Sequence, residues 1–361
     1  MDFKVIPATQ ATMDDFMYDS EPWYGNYTYE EYGSPPPIDT VFKHSSTCFR
    51  EVLCTSLLVA NMIIFVLGLC GNGVVIWISG FKMKKTVNTT WYLSLAISDF
   101  IFCACLPFNI TYSAMGDDWI FGLFMCKFTS FVMFLNMFSS IFLLVIISVD
   151  RCVSVMCPVW TQNHRTVRKA SVVVVLAWLV SIALSMPSVV FRDIVNHLGR
   201  TTCFNNYTSD QYSHKTIAVS RFLAGFVVPF FVIIICYSII ILRLRNNRMA
   251  KSSKPFKVMT ALIATFFFCW LPYHVFVLLE LTHQNSNHHV LAIGLKVGTS
   301  VAMANSFLNP VLYVFMGNDF KRRLKSSLLS KMENAMGEEG RTTSRYLSRS
   351  SSMDGRASTH I

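Results

Sequence analysis

Residues 128–149 read FTSFVMFLNMFSSIFLLVIISV, 22 consecutive residues without a charge, closed by Lys127 on one side and Asp150 on the other. A helix needs about 20 apolar residues to cross a hydrocarbon core of about 30 Å. Lipid offers the backbone no hydrogen-bond partner, so such a run must satisfy its own amides as a helix. Working outward, the pattern recurs. Glu51 and Lys82 bracket 30 uncharged residues, and Lys85 and Asp117 bracket a run of 31 interrupted by Asp99. Lys169 and Arg192 bracket 22, Arg221 and Arg243 21, Lys257 and Glu280 22, and Lys296 and Asp319 22. The predicted fold class is an all-α integral membrane protein, a seven-transmembrane helix bundle.

Composition agrees. Of 361 residues, 53% are hydrophobic and 14% charged, against roughly 25% charged in soluble proteins. Mean hydropathy is +0.43. A soluble enzyme, a disordered chain and a collagen-like chain are excluded on these grounds. The net charge of +10 does not point to nucleic acid, because the charge outside the termini sits in short pieces between apolar runs, as in membrane-protein loops.

Lys and Arg in short loops mark the cytoplasmic side. With the N-terminus outside, the inner loops hold twelve: Lys82, Lys84, Lys85, Arg165, Arg168, Lys169, Arg243, Arg245, Arg248, Lys251, Lys254 and Lys257. The outer loops hold three, Arg192, Arg200 and Lys215. The expected location is therefore the plasma membrane, with an extracellular N-terminus and a cytoplasmic C-terminus. The first 45 residues contain no apolar stretch of signal-peptide length, so the first span is expected to serve as its own insertion signal.

Four regions follow: an arm over 1–51, the bundle over 52–316, an amphipathic helix over 317–330 and a tail over 331–361. The arm has nine acids and three bases, with Tyr18, Tyr24, Tyr27, Tyr29 and Tyr32 among them. It reads as a disordered acidic segment, either a solvated tail or bait for a basic ligand that tyrosine sulfation would strengthen. In residues 317–330, Phe320, Leu324 and Leu328 fall at helical spacing opposite Lys321, Arg322, Arg323 and Lys325. That pattern predicts a short eighth helix on the inner membrane surface, in contact with lipids. Thr342, Thr343, Ser344, Ser348, Ser350, Ser351 and Ser352 crowd the tail and are candidate phosphorylation sites for a partner that reads added charge. Asn26 and Asn206 head outer glycosylation sequons, whereas Asn88 and Asn109 match the pattern in the wrong places.

Eight of eleven cysteines fall in spans or at their edges, Cys54 among them, where cysteine acts as a small hydrophobe. Cys126 tops the third span and Cys203 lies in the longest outer loop. The oxidising exterior permits a disulfide between them. Cys48 has no evident partner. No metal-ligand spacing appears, and His283, His288 and His289 lie in an outer loop without Cys or acidic neighbours.

An ionisable residue inside a span is costly and defaults to function. Asp99 is the one deep acid; Asn72, Asn136, Ser140, Asn305 and Asn309 lie at similar depth in other spans. Converging oxygens make a small-cation site, or alternatively an interhelical hydrogen-bonded tie. Asp150 and Arg151, adjacent opposite charges, can hold the inner end of the third span shut. Pro107, Pro187, Pro229, Pro272 and Pro310 are placed within five spans, each able to bend its helix.

Together these residues resemble the rhodopsin-like G-protein-coupled receptors. Gly71-Asn72, Leu95-Ala96-Ile97-Ser98-Asp99, Asp150-Arg151-Cys152, Trp178, Pro229 with Tyr237, Phe266 with Cys269-Trp270-Leu271-Pro272, and Asn309-Pro310-Val311-Leu312-Tyr313 occur in order, one set per span. Cys152 departs from the family's frequent Tyr, as it does in many chemoattractant receptors. Met133 and Met303 stand where aminergic receptors carry Asp and opsins carry Lys. Longer stretches, among them Phe81-Lys82-Met83-Lys84-Lys85-Thr86-Val87-Asn88 and Pro158-Val159-Trp160-Thr161-Gln162-Asn163-His164-Arg165, resemble the formyl-peptide and chemerin group of chemoattractant receptors. Cys203-Phe204-Asn205-Asn206, Arg221-Phe222-Leu223 and Leu279-Glu280-Leu281 lean toward its chemerin branch.

The resemblance implies a non-enzymatic cell-surface receptor for a chemoattractant or adipokine peptide or protein, acting in chemotaxis and inflammation. It implies an inhibitory-class heterotrimeric G protein, arrestin and receptor kinases as partners. The alternatives are a formyl peptide, a complement fragment or a lipid mediator as ligand, a non-signalling scavenger and, from another class, a secondary transporter or channel. No internal repeat favours the last. Arg221 and Glu280 each lie eight residues from a proline of their span, about 12 Å above it at 1.5 Å per residue. Both are expected at the mouth of an outward pocket, Arg221 for a ligand carboxylate and Glu280 for an amine or to pair with Arg221. Asn109, Tyr112, Phe134, Phe204, Asn205, His274, Phe276 and Lys296 are the expected walls. The expected activation switch comprises Asp150, Arg151, Tyr237, Phe266, Trp270, Pro272, Asn309, Pro310 and Tyr313. No cofactor is required; an allosteric sodium ion at Asp99, Asn136, Ser140, Asn305 and Asn309 is the expected accessory.

Overall fold

The computed structural model describes residues 52–197, 199–207, 211–246, 254–282, 288–316 and Arg322. The acidic arm with Asn26, the Ser/Thr cluster of the tail and the expected eighth helix other than Arg322 lie outside the described residues. Cys48 and His283 lie outside them as well.

Seven helical segments among the described residues are long and apolar enough to cross a bilayer: Val52–Lys82, Val87–Ala114, Gly122–Met156, Val167–Phe191, His214–Arg243, Val258–Leu281 and Val290–Tyr313. They are built from α1 (Val52–Trp77), α2 (Val87–Ala114), α3 (Gly122–Met156), the short α4 (Pro158–His164), α5 (Val167–Ser185), α6 (Pro187–Phe191), α7 (Gln211–Phe222), α8 (Val228–Asn246), α9 (Lys254–Thr282) and α10 (His288–Met316). A π-helical turn at Ile78–Lys82 extends α1, and another at Leu223–Val227 joins α7 to α8. The charge-bracketing argument therefore located every span.

Local chemistry sets the ends. Thr86 caps α2 with a reciprocal pair: its Oγ1 accepts from the Thr89 amide at 3.2 Å, and its own amide donates to Thr89 Oγ1 at 2.7 Å. Thr166 caps α5 by accepting from the Lys169 amide at 3.4 Å. Pro158 and Pro187 open α4 and α6, where a missing N–H costs nothing. Pro187 lies inside the fourth span, Val167–Phe191, and interrupts its helix after Ser185, in line with the sequence reading. Pro229 likewise follows a wide turn, in which the Val228 amide bonds Leu223 O. Pro107, Pro272 and Pro310 do lie inside helices.

The helix α3 is the hub, touching α2, α5, α8 and α9, while α10 packs along α9 and α1. Its residues Met137, Phe138, Ile141, Leu143 and Ile147 are almost fully buried together with Leu262 and Phe266 of α9. The outward faces of α5 and α8 leave Val175, Leu179, Ile235 and Ile241 exposed, as expected where lipid is the solvent. Polar ties cross this core: Trp178 Nε1 donates to Ser94 Oγ at 2.9 Å.

Two glycines permit close helix contact. Gly68 faces the Cys103 thiol, and a Cβ on Gly71 would come within 2.9 Å of Pro310 Cγ. We expect Gly71→Val to lower stability by about 1–3 kcal/mol, the range for overpacking a filled interior. The thermal midpoint of detergent-purified protein measures it; an unchanged midpoint means that α1 and α10 have slack.

A hairpin, not foreseen from sequence, lies between α6 and α7. β1 (Arg192–His197) pairs antiparallel with β2 (Arg200–Asn205), in register from Arg192↔Asn205 to His197↔Arg200. Gly199 in the turn has φ +77, a conformation glycine adopts without penalty. The disulfide Cys126–Cys203, with Cα atoms 5.8 Å apart, pins β2 to the start of α3. Cys54, read as an apolar filler, is in fact disulfide-bonded.

Candidate functional site

Three polar clusters stand on this frame: one under the hairpin, one midway along the bundle and one at the end opposite the hairpin.

Under the hairpin lie two half-buried arginines. Arg221 sits where α7 meets the π-turn; its Nη2 donates to Ser188 Oγ at 2.8 Å and its Cζ stacks 3.7 Å from the Phe134 ring centroid. Its Nε is buried without a hydrogen-bond partner. Arg192, at the base of β1, donates through Nε to Ser130 Oγ at 2.8 Å and through Nη1 to Cys203 O at 3.3 Å. Burial lowers the Arg192 pKa from its ordinary value; Tyr273 and Tyr207 oppose that shift and Arg221 adds to it. Neither arginine forms an ion pair with a carboxylate among the described residues. Of the two roles open to Glu280, pairing with Arg221 is therefore not seen there, and Arg221 bonds Ser188 instead. Arg192, counted from sequence only as a loop charge, belongs to the site.

Aromatic groups floor this cluster. His274 is buried, its ring 5.5 Å from Phe222 and 5.3 Å from Phe226, with Trp270 and Tyr273 alongside. Phe134 meets Tyr273 at 6.3 Å. Asn109 and Tyr112 are half-buried on α2, with Tyr112 edge-on to Trp119 at 5.6 Å. Phe204 is half-buried and Asn205 exposed, paired with Asp193 and Arg192 across the hairpin. Two expected wall residues are engaged elsewhere. Phe276 packs its ring on Gly294 of α10. Lys296 Nζ holds Asp117 Oδ2 at 2.6 Å at the rim.

The hairpin is firmly attached. The Trp119 amide donates to Thr201 O at 2.6 Å, and the Thr201 amide to Asp118 Oδ1 at 2.9 Å. Asn206, the outer sequon residue, donates its side-chain amide to Asp193 Oδ2 at 3.1 Å. That bond, with the Ile194 amide, holds the Asp193 pKa below its usual value. A depressed carboxylate contributes stability at neutral pH that is lost as pH falls through its folded pKa. We therefore expect acid below the ordinary aspartate pKa of about 3.9 to loosen the hairpin in the wild type and to have less effect on Asp193→Asn, read from hydrogen exchange over residues 192–205.

Midway, Asp99 accepts from Asn136 Nδ2 and Asn309 Nδ2, each at 2.8 Å. Ser306 Oγ donates to Asn136 Oδ1 at 3.2 Å, and Ser98 meets Ser139 at 2.6 Å. Asn72 Nδ2 reaches Gly68 O and Ser306 O. Ser140 Oγ and both side-chain polar atoms of Asn305 are buried without a hydrogen-bond partner. They lie four residues from Asn136 and Asn309, hence on the same helix faces. Ser98, Ser139 and Ser306 are members the sequence reading missed.

At the far end, Asp150 does not engage Arg151. Arg165 takes it in a fork, Nε to Oδ1 and Nη2 to Oδ2, both at 2.8 Å. Arg151 turns to Asn88 Oδ1, which also accepts from Arg165 at 2.6 Å. The sequence reading of Asp150 as Arg151's keeper is corrected, and Asn88, dismissed as a stray sequon, is the shared acceptor. Tyr92 and Tyr313 pack with centroids 5.0 Å apart, and Phe266 lies 6.0 Å from Trp270. Tyr237 hydrogen-bonds Thr260. Hydrogen bonds to charged groups are worth about 1.5–3 kcal/mol. We expect Asn88→Ala, by releasing Arg151, to raise basal nucleotide exchange about tenfold or more on that scale; unchanged basal exchange would show that Asn88 restrains nothing.

The family model for the 7 transmembrane receptor (rhodopsin family) matches residues 71–313. The chain belongs to this family of G-protein-coupled receptors: it is a multi-pass membrane receptor for an extracellular ligand, not an enzyme. Among its relatives, Chemerin-like receptor 1 of Mus musculus is 46% identical over 353 residues, covering 91% of this chain and 90% of the relative. Chemerin-like receptor 1 of Homo sapiens is 45% identical over 346 residues, covering 91% of each. Formyl peptide receptor 2 of Mus musculus is 39% identical over 321 residues, covering 84% and 91%.

Proposed function

We propose that this receptor binds a chemoattractant peptide or protein whose C-terminal carboxylate docks between Arg192 and Arg221. The observation that carries the reading is the pair of half-buried guanidinium groups with no carboxylate partner among the described residues. Partial burial without a counter-charge already costs free energy, and a ligand anion would offset it with forked hydrogen bonds. The aromatic floor of Phe134, Tyr273, His274 and Trp270 suits a peptide tip carrying aromatic residues. The relatives named chemerin-like receptors support a chemerin-like, adipokine-type ligand. With the N-terminus outside, as the distribution of Lys and Arg supports, the hairpin faces the ligand and Arg151 faces the cytosol.

Ligand binding shifts the population toward a state in which α9 swings outward below Trp270 and Pro272. Arg151 then leaves Asn88 to meet an inhibitory-class G protein, and arrestin reads the phosphorylated tail. The readout is chemotaxis and inflammation. A sodium ion fits the midway cluster, because Ser140 Oγ and Asn305 Oδ1 are orphaned hard oxygens beside the Asp99 carboxylate's partners. Bound there, it would steady the resting bundle. We expect Asp99→Asn to remove any difference in ligand affinity between sodium and choline buffers; a retained difference would place the ion elsewhere.

The deciding experiment is a panel of chemerin-type, formyl and complement-type peptides, each as C-terminal acid and amide, read by nucleotide exchange in membranes. The acid form of a chemerin-type peptide should be far more potent than its amide. Equal potency of the two forms would reject the carboxylate dock.

A further inference from the structure

Cys152 of α3 and Cys236 of α8 form one small apolar cluster with Ile240, ringed by Val155, Val232 and Ile239. Both are free thiols, and they pack in the same cluster across the two helices. Packing alone asks for small hydrophobes here, and a pair of thiols on two spans is not needed for that. Each thiol also has a consequential neighbour in the chain: Arg151 precedes Cys152, and Tyr237 follows Cys236.

We propose that Cys152 and Cys236 are a redox pair, which a peroxide closes to a disulfide that fastens α3 to α8 beside Arg151. One thiol, as thiolate, attacks a peroxide oxygen and becomes a sulfenic acid, with one water released. The second thiol attacks that sulfur, the S–S bond forms, and the hydroxyl leaves as a second water. Two thiols and one hydrogen peroxide thus give one disulfide and two waters; sulfur is oxidised and the peroxide oxygens are reduced. A dithiol reverses the step by exchange. The two residues already pack in one cluster, and a disulfide between them requires Cα atoms about 4.4–6.8 Å apart. Both residues are under a tenth exposed, and the thiolate is the reactive form. Reaction is therefore paced by opening of this end of the bundle, and occupancy of the receptor sets its sensitivity to oxidant.

The pairing itself is independent of the proposed ligand; its effect on signalling rests on the role given to Arg151. The test uses the full chain in membranes treated with hydrogen peroxide, denatured with N-ethylmaleimide, digested without reductant and analysed by mass spectrometry. We expect a peptide linking Cys152 to Cys236, a loss of two alkylatable thiols, and recovery of both with dithiothreitol. The thermal midpoint of the purified receptor should shift upward with oxidation in the wild type, and not in Cys152→Ser or Cys236→Ser. The proposal is overturned if both thiols remain alkylatable, if they go to sulfinic acid without a link, or if Cys152 instead joins Cys157. Basal nucleotide exchange should fall with the link and return with dithiothreitol. A link with unchanged exchange upholds the pair and counts against Arg151 as the switch.

Discussion

Replacing Arg151 with Ala should abolish ligand-stimulated nucleotide exchange while leaving surface expression and ligand binding measurable. The guanidinium is lightly held: it donates to Asn88 Oδ1 and its Nε is buried without a partner. Asp150 is satisfied by the Arg165 fork and loses nothing when Arg151 goes. Folding should therefore tolerate the change. Coupling should not, because truncating one member of a desolvated charged contact costs about 2–5 kcal/mol, which is about 30-fold to several thousand-fold. Exchange that persists at saturating ligand would remove Arg151 from the switch. Arg165→Ala is the contrast: it strips Asp150 of its partner, and its effect should appear in basal exchange.

Arg221→Ala should weaken the binding of a carboxylate-terminated peptide by about 30-fold or more on the same scale. Arg221→Lys should fall between, since it keeps the charge but loses the planar fork and the stacking on Phe134. The amide form of the peptide supplies the control. If the carboxylate docks on Arg221, the amide loses affinity for the wild type but has little further to lose on Arg221→Ala. A double-mutant cycle of that kind separates the contact from any collapse of the pocket. An amide that loses as much as the acid would assign Arg221 to shaping the pocket alone. Arg192→Ala should behave alike, with an added cost to the hairpin through Cys203 O.

The spans were legible because a charge in lipid is prohibitive, so its absence over some 20 residues is a strong pattern. Asp99 was legible for the same reason in reverse. Partners were not. Asn88 bonds Arg151 and Arg165 across 63 and 77 residues, and nothing in a sequon-like triplet announces that. Arg192 was read as a loop charge because counting charges for orientation ignores burial. The hairpin escaped because its six-residue strands are held by a disulfide and by the 116–119 loop rather than by a sheet of their own.

The π-turn at Leu223–Val227 carries one residue more than an α-helical turn would need. Each residue advances a helix by about 100°. Deleting Ala224, and so restoring ordinary winding above Pro229, would rotate Arg221 by about that angle relative to α8, away from Phe134. The guanidinium's aim thus depends on a helical miscount one turn below it, and insertion or loss of a single residue there would retarget the receptor without touching any side chain in the pocket.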